Sequence, residues 1–575
     1  MYKEAGKLVV SASDLVGFSA CPHLTWLDLQ VSGGALAKPF KKRRDPSSGR
    51  EEDEEIVDTL LDLLIQRGQQ HEQDYKADLE RQGISILSLD DGSDAHPAPR
   101  KDLTYLRRKA AETAEALDRH RQVIYQGTFL DESRPVFWRG HTDFIKPVAD
   151  DDGRNFEPED TKLAGHVSVN AVIQLCNYVD HIERVTGRRP QRIRVVLGRG
   201  SPAEDFAVET LFNYYTFLKQ RFLAALEQPV ETYPLPVDHC GVCRWRYKCE
   251  KRWKDDDHLS QVAFITAVQV KRLEAAGIPR MADLANLATA ESSERLAGIK
   301  PEVLTRLAEQ AALQKRSADK PVPEWRLILP AKRGLGLAPL PEPSPWDVFY
   351  DIEGHPYIGN HGLEYLHGIG TVDTGEFVFR GEWAHDSQKE RRVFENFVDF
   401  VMERWSQHPG LHVYHYAAYE TTALTRLMGQ YGTREQEIDA MLRGNIFVDL
   451  YRVVRQGVRI GVPSYSIKKL EPLYMGPREG EIVMATSSVL QYERWLHSGD
   501  RKILDEIELY NMEDVKSTYL LRGWLEERRA EVVAQQGELP RTPEVEPEKA
   551  GRDDPALRQL IDRLNTDRPT EVPNQ

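Results

Sequence analysis

The sequence predicts a multidomain α/β protein in which an all-helical segment separates two α/β regions. Three observations carry this. The chain has 575 residues, too many for one hydrophobic core. Strand-like alternation mixes with helix-like spacing over residues 1–255 and again over 346–535. Residues 256–320 lose the strand pattern and contain an internal repeat.

Composition narrows the class. Hydrophobic residues make up 40% and charged residues 29%, as in ordinary globular domains. No apolar run reaches membrane-spanning length, and the first residues lack the apolar core of a signal peptide. Five cysteines do not make a disulfide scaffold in so long a chain; they suggest a reducing, cytoplasmic setting and metal binding. The net charge of -15 argues against a surface coated for nonspecific polyanion binding, but leaves room for a carboxylate metal site in a locally basic groove.

In the first region, Ser11-Ala-Ser-Asp opens a helix that runs toward Cys21. "RGQQHEQDY" places His71 on a second helix. "RGHTDFIKPVADDDGRNFEPEDTKLA" reads as two strands around the turn signal Asp152-Gly153, with Asp150, Asp151 and Asp152 in the turn. Period-two alternation puts Asp160 and Lys162 on one strand face, and the hairpin can bring Asp143 beside Asp160. Two carboxylates and a lysine can hold Mg²⁺ or Mn²⁺ against a phosphate. "SVNAVIQLCNYVDHIERV" has helical period, with Gln174 and Tyr178 one turn apart. "CGVCRWRYKC" then sets Cys240, Cys243 and Cys249 at C-x2-C-x5-C spacing, three ligands of a four-ligand site. Trp245 and Tyr247 between them read as packing. The fourth thiol is Cys21 or Cys176; Cys176, inside a helix, reads as a small core residue. Four thiolates suit a 4Fe–4S cluster or a zinc ion, and spacing alone does not choose.

The middle segment repeats Ala-Gly-Ile before a proline-started helix, at Gly277 and Gly298. Nine Lys/Arg against seven Asp/Glu over 258–320 make it less repulsive to a polyanion than 346–535, where 21 face 30. Such turns resemble helix-hairpin-helix modules, which offer backbone N–H groups to DNA phosphates. Lys271, Arg272, Arg280 and Lys300 would add to that grip; a plain helical spacer is the alternative. Residues 321–345 are rich in proline and glycine and read as a linker. Residues 536–575 read as a largely disordered tail with a short helix near "ALRQLIDRL". No G-x-x-x-x-G-K-[ST] occurs, so no ATP-driven motor is signalled.

In the second region, "VFYDIEG" alternates and puts Asp351 and Glu353 on one strand face. "YNMEDV" sets Tyr510 and Asp514 one helical turn apart. "HVYHYAAYETTAL" is a strand entering a helix that carries Glu420, and "FVDLYRVV" carries Asp449. Converging carboxylates of this kind suit two-metal phosphodiester hydrolysis.

Taken in order, "EDTKLA", "CGVC", "DIEGHP", "YHYAAYE", "YSIKKLE" and "YNMED" resemble a bacterial family of RecB-like nucleases with a C-terminal YprB-type ribonuclease H-like domain. The resemblance runs from about residue 8 to about residue 530. It implies a PD-(D/E)xK restriction-endonuclease-like fold for the first region. His71, Asp143 and Asp160 would bind metal, Lys162 would be catalytic, and Gln174 and Tyr178 would position the substrate backbone. Thr142 stands where the motif's name has proline. The resemblance favours an iron–sulfur cluster on Cys21, Cys240, Cys243 and Cys249. It implies a DEDDy 3′–5′ exonuclease in the second region, with Asp351, Glu353 and Asp514 as metal ligands, Tyr510 orienting water, and Glu420 as the fourth acid in place of the usual aspartate. Asp449 is the alternative fourth acid. Some members of the family continue into a helicase; here a helicase would be a separate partner. The expected activity is DNA cleavage at single strands or ends. A nucleic-acid-binding scaffold with one or both sites inactive, or an RNA-trimming enzyme, are the alternatives.

Overall fold

The computed structural model describes residues 1–37, 40–44, 51–55, 59–90, 102–119, 122–148, 155–198, 200–289, 296, 298–359, 361–372, 375–478, 485–541, 559 and 563. The expected turn at Asp150–Gly153 lies outside the described residues, as does nearly all of the expected tail from 542 onward. The chain divides into two units. One comprises Met1–Ser260, Thr266–Lys271 and Pro356–Gly362; the other comprises Gln261–Ile265, Arg272–His355 and Leu363–Gln575.

The first unit opens with a hairpin of β1 (Tyr2–Glu4) and β2 (Lys7–Ser11). Its two turn residues, Ala5 and Gly6, both have positive φ (47° and 76°), the turn that matches strand twist. Ser11 then donates its N–H to Asp14 (2.8 Å), starting α1 (Ala12–Ala20). Pro22 sits in the first turn of α2 (Pro22–Ser32), where its missing N–H costs nothing. A separate ribbon, β3 (Phe40–Arg44) with β4 (Glu51–Glu55), precedes α3 (Thr59–Arg81).

The remaining strands are β5 (Ile86–Ser88), β6 (Val123–Asp131), β7 (Val136–Pro147), β8 (Phe156–Lys162), β9 (Arg192–Leu197) and β10 (Glu204–Ala207). With β1 and β2 they form an eight-stranded mixed sheet ordered β1-β2-β7-β8-β9-β10, with β6 pairing β7 and β5 pairing β6. Helix α4 (Leu103–Arg119) packs on β6. Ser168 caps α5 (Val169–Thr186), and Gly187 ends it at φ 72°. Helix α6 (Val208–Glu227) follows β10, and α7 (Arg246–Asp255) follows the cysteine turn. Leu15 and Phe18 of α1, Val179 of α5, Val195 of β9 and Phe222 of α6 share one core cluster.

The second α/β region is preceded by α8 (Ala267–Ala275), α9 (Met281–Asn286) and α10 (Pro301–Ser317). Gly277 and Gly298 have φ 82° and 72°, as the repeated turns require. Residues 290–295 and 297, before the second turn, lie outside the described residues. The segment 321–345 is no free tether. Its strand β11 (Trp325–Leu327) pairs with β17 (Val458–Ile460), and Leu337, Ala338 and Leu340 are buried with Val454, Val458 and Leu521. Proline and glycine marked turns here correctly, but the apolar residues between them found a core.

A five-stranded sheet follows, ordered β14-β13-β12-β15-β16. Strands β12 (Val348–His355), β13 (Leu363–Thr371) and β14 (Val378–Trp383) form an antiparallel meander. Strands β15 (Val413–His415) and β16 (Phe447–Asp449) extend it in parallel on the other side of β12. Helices α11 (Ser387–Gln407), α12 (Tyr419–Tyr431) and α13 (Glu435–Arg443) join the meander to β16. Phe394, Val398 and Val401 of α11 pack with Ile352 and Leu424 in one core cluster. Then come α14 (Leu450–Gly457), α15 (Ile467–Leu470), α16 (Ala485–Ser498) and the 36-residue α17 (Arg501–Gln536). Asp500 caps α17, which packs along β12 and β13.

Candidate active sites

In the first unit the β7–β8 ladder pairs Phe144 with Glu159, so one further step sets Asp143 opposite Asp160. Asp143 accepts from the Thr161 N–H (2.9 Å) and hydroxyl (3.0 Å). Asp160 is fully buried and ion-paired with Lys162. Burial, and then the Asp143 charge, push its carboxyl up to about 8 despite the lysine. Gln174 reaches Asp160 (3.4 Å) and donates to the Tyr178 hydroxyl (2.7 Å). Asp143, Asp160, Lys162, Gln174 and Tyr178 are therefore brought together.

His71 is placed differently from its neighbour. Its Nε2 lies 3.5 Å from the Val196 carbonyl. Glu72, which the sequence reading passed over, is the residue whose charge bears on Asp143 and Lys162. Burial, and then Asp143, push Glu72 up to about 6, while hydrogen bonds from Tyr125 and Gln126 oppose the rise. Gln126 holds positive φ (60°) as it donates to Glu72. That backbone position was the one signal available, and it shows only in three dimensions. Among the described residues, no three metal-donor side chains at this centre have ligand atoms within 4.8 Å of one another.

The structure places Cys21, Cys240, Cys243 and Cys249 near one another and Cys176 elsewhere. Cys21, Cys243 and Cys249 share an apolar cluster with Leu24, Leu27 and Trp245. Burial, with the neighbouring thiols Cys243, Cys240 and Cys21 adding to it, pushes Cys249 up to about 12. The four thiols thus form one neighbourhood, although no three of the sulfurs lie within 4.8 Å of one another. Asp28 of α2 accepts from the Trp245 indole (2.8 Å) and from Arg244, and His23 contacts Thr232 (2.9 Å). Cys176 stands apart in the core of α5, and burial alone raises it to about 12. Trp245 is buried, as expected of packing between ligands, but Tyr247 is 63% exposed.

In the helical segment Lys271, Arg272, Arg280 and Lys300 are exposed. The Arg272 guanidinium donates to the Gly298 carbonyl (3.2 Å), tying one repeat turn to the other.

In the second unit Asp351 and Glu353 project from β12, and Asp514 from α17, one turn beyond Tyr510. Ligand atoms of Asp351, Glu353 and Asp514 all lie within 4.8 Å of one another. Asn511 donates to Asp351 Oδ2 (2.7 Å). Ser488 donates to Glu353 Oε2 (2.6 Å). Arg478 is ion-paired with both Asp514 and Glu471, and Lys468 donates to the Tyr510 hydroxyl.

Burial dominates the electrostatics of the triad. Burial, then Asp514 and Glu353, hold the Asp351 carboxyl well above its usual range. Burial pushes Glu353 up to about 8, with Asp514 adding and Ser488 and Lys468 opposing. Asp514 is raised by burial against the pull of Lys468 and Arg478. Three crowded hard-oxygen ligands that resist ionising together form a donor set for Mg²⁺ or Mn²⁺, whose charge would remove that resistance.

The fourth-acid candidates separate cleanly. Glu420 is buried, with Oε2 3.3 Å from His415 Nδ1, and its charge reaches Asp351 without joining the triad. Asp449 is a helix cap: one oxygen takes the N–H groups of Ala417 (2.9 Å), Tyr451 (2.9 Å) and Arg452 (3.4 Å). Asn511, Lys468 and Arg478 were not singled out from sequence. The first lies inside the Tyr510–Asp514 motif, and the other two lie in or just after "YSIKKLEPLY".

Residues 348–526 match the model of a family described as the RNase_H superfamily. No curated protein matches the chain. The match falls on the sheet and helices that carry the triad. Residues 348–526 thus form a ribonuclease H-like domain, a fold of divalent-metal nucleases, with Asp351, Glu353 and Asp514 gathered as its acidic centre.

Proposed function

We propose that the protein is a metal-dependent nuclease that hydrolyses phosphodiester bonds of single-stranded or end-containing DNA. The Asp351–Glu353–Asp514 triad in a ribonuclease H-like domain carries this reading. This centre acts as a DEDDy 3′–5′ exonuclease, with Glu420 as the fourth acid behind Asp351. A divalent ion held there would polarise the phosphodiester and lower the pKa of a bound water. Tyr510 orients the attacking water through its hydroxyl. Asn511 and Ser488 fix the rotamers of Asp351 and Glu353, so the donor set is organised before anything binds.

The first unit is a RecB-like PD-(D/E)xK centre. Asp143, Asp160 and Lys162 lie together, which supports it; Lys162 neutralises charge developing on the phosphate. Metal ligands are Asp143 and Asp160, with His71 or its neighbour Glu72 completing the set. Gln174 and Tyr178 position the substrate strand. Cys21, Cys240, Cys243 and Cys249 hold a structural 4Fe–4S cluster. The turns at Gly277 and Gly298 grip the nucleic-acid backbone nonspecifically. The setting is cytoplasmic DNA repair, recombination or defence, with a separate helicase as partner.

The test incubates purified protein with end-labelled single- and double-stranded DNA and RNA, in Mn²⁺ and in EDTA. Lys162→Ala and Asp351→Ala are compared with the parent. Each variant should lose activity by 10²-fold or more at its own centre (an order-of-magnitude expectation). No cleavage of any substrate in Mn²⁺ would sink the enzyme reading. Cleavage of RNA alone would redirect it to RNA trimming. A second reading, a nucleic-acid-binding scaffold, is favoured by Glu420 facing His415 rather than joining the triad. Full activity in Asp351→Ala would support it for the second centre.

A further inference from the structure

Arg478 stands out among the charged groups around the second centre. It follows the exposed pair Gly476-Pro477. Its side chain is only 10% exposed. Its Nε donates to Glu471 Oε2 (3.0 Å), and one terminal nitrogen bridges Glu471 Oε1 and Asp514 Oδ1. The other terminal nitrogen is 3.9 Å from Glu513 Oε2. A guanidinium is thus seated on a carboxylate of the metal-donor set. Lys468 is also close, and its amine donates to the Tyr510 hydroxyl.

We infer that Arg478 is a substrate-binding residue of this centre: it rests on Asp514 while the metal is absent and turns to a phosphodiester oxygen once a divalent ion takes that carboxylate. Three arguments lead there, resting on the nuclease reading of the domain. A cation bonded to Asp514 competes with a metal for the same oxygens, so the two exclude or weaken each other. A guanidinium that loses Asp514 at 10% exposure keeps Glu471 but is left with terminal N–H groups short of an acceptor, and a buried donor without one is costly. The anion brought to a nuclease centre is a phosphodiester, and the planar fork of arginine matches it. Glu471 keeps hold of Nε throughout, so the head swings a short way and the order of events is metal first, strand second.

The experiment uses the full chain carrying Asp160→Asn, which removes the first centre's contribution. Mn²⁺ binding is followed by electron paramagnetic resonance without nucleic acid. Binding of labelled oligothymidylate and oligouridylate is followed by anisotropy with Ca²⁺ in place of Mn²⁺. Arg478→Gln should bind Mn²⁺ several-fold more tightly than the parent. It should bind oligonucleotide about tenfold more weakly, with the salt slope reduced by about one contact. Arg478→Lys should keep the slope while losing affinity, since the charge stays and the fork goes. A change confined to one of the two oligonucleotides shows which polymer the site prefers. Lys468→Gln removes a nearby charge that is bonded to the Tyr510 hydroxyl, and its effect on Mn²⁺ should be smaller. Equal tightening in Arg478→Gln and Lys468→Gln would mean that charge alone acts, and would overturn the competition. Unchanged oligonucleotide affinity and slope would overturn the phosphate contact. A parent that binds both Mn²⁺ and oligonucleotide while Arg478→Gln is silent removes only the arginine. A parent that binds neither removes the nuclease reading of the domain, and the arginine with it.

Discussion

Glu353 shows what the acidic centre costs without a metal. Its carboxyl moves from the usual 4.5 to about 8, and Asp351 and Asp514 move in the same direction. Groups raised in this way bind more protons folded than unfolded between those limits. The stability they contribute is complete below their unfolded values and is lost as pH rises through about 8. Metal-free protein should therefore melt at a lower temperature at about pH 9 than at about pH 6, and the rise caused by Mn²⁺ should be larger at the higher pH. Melts in EDTA and in Mn²⁺ at both values check this; an EDTA melting point that is flat or climbs with pH would contradict it. Asp351, Glu353, Tyr510 and Asp514 were legible in the sequence because strand and helix periods are local rules. Glu72, Lys468 and Arg478 were not, because their significance comes from what other segments place beside them.

Two elements position the centre by close approach. Gly368 of β13 faces Asn511 of α17 with no room between: a Cβ would stand 1.9 Å from the Asn511 Oδ1. Gly368→Ala should push Asn511 off Asp351, cost about 1–3 kcal/mol of stability and weaken Mn²⁺ binding together. Unchanged Mn²⁺ affinity would show that Asn511 does not organise the donor set. Asp449 makes the opposite case. As the cap of α14 it should cost about 0.5–2 kcal/mol when changed to Ala, with Mn²⁺ affinity untouched. A drop in Mn²⁺ affinity would restore it as a ligand. The approach of Asp143 to Asp160 was legible because the two acids flank a turn signal at similar distances, nine residues before Asp152 and seven after Gly153; the exact register was not. The burial of Leu337, Ala338 and Leu340 was not, since composition marks where a chain turns and not which core its apolar residues reach.

At the scale of the whole molecule, the ribonuclease H-like sheet is not self-sufficient. β11 and the buried Leu337, Ala338 and Leu340 come from before it, and Gln310 of α10 donates to the Ile460 carbonyl (2.8 Å). A fragment of residues 261–541 should melt cooperatively, whereas 346–541 should be insoluble or molten by circular dichroism. A well-folded 346–541 would show that the preceding segment is dispensable. Within the longer fragment, Leu340→Ala should cost about 2–5 kcal/mol, as for a fully buried leucine. In the first unit, the proposed cluster should make anaerobically purified protein brown, and Cys21→Ala should bleach it while Cys176→Ala should not. Colourless protein with stoichiometric zinc would reassign the four thiols.

The clasp between α2 and the cysteine turn also constrains how the protein is made. Asp28 cannot meet Trp245, nor β2 its neighbour β7, until the later partner has been synthesised. At roughly 10 residues per second, Trp245 emerges about 20 s after Asp28. For that interval the nascent chain must hold Leu24, Leu27 and Val10 without the contacts that later cover them. The N-terminal hairpin and first two helices of the first unit therefore reach their native packing only after Trp245 has been synthesised.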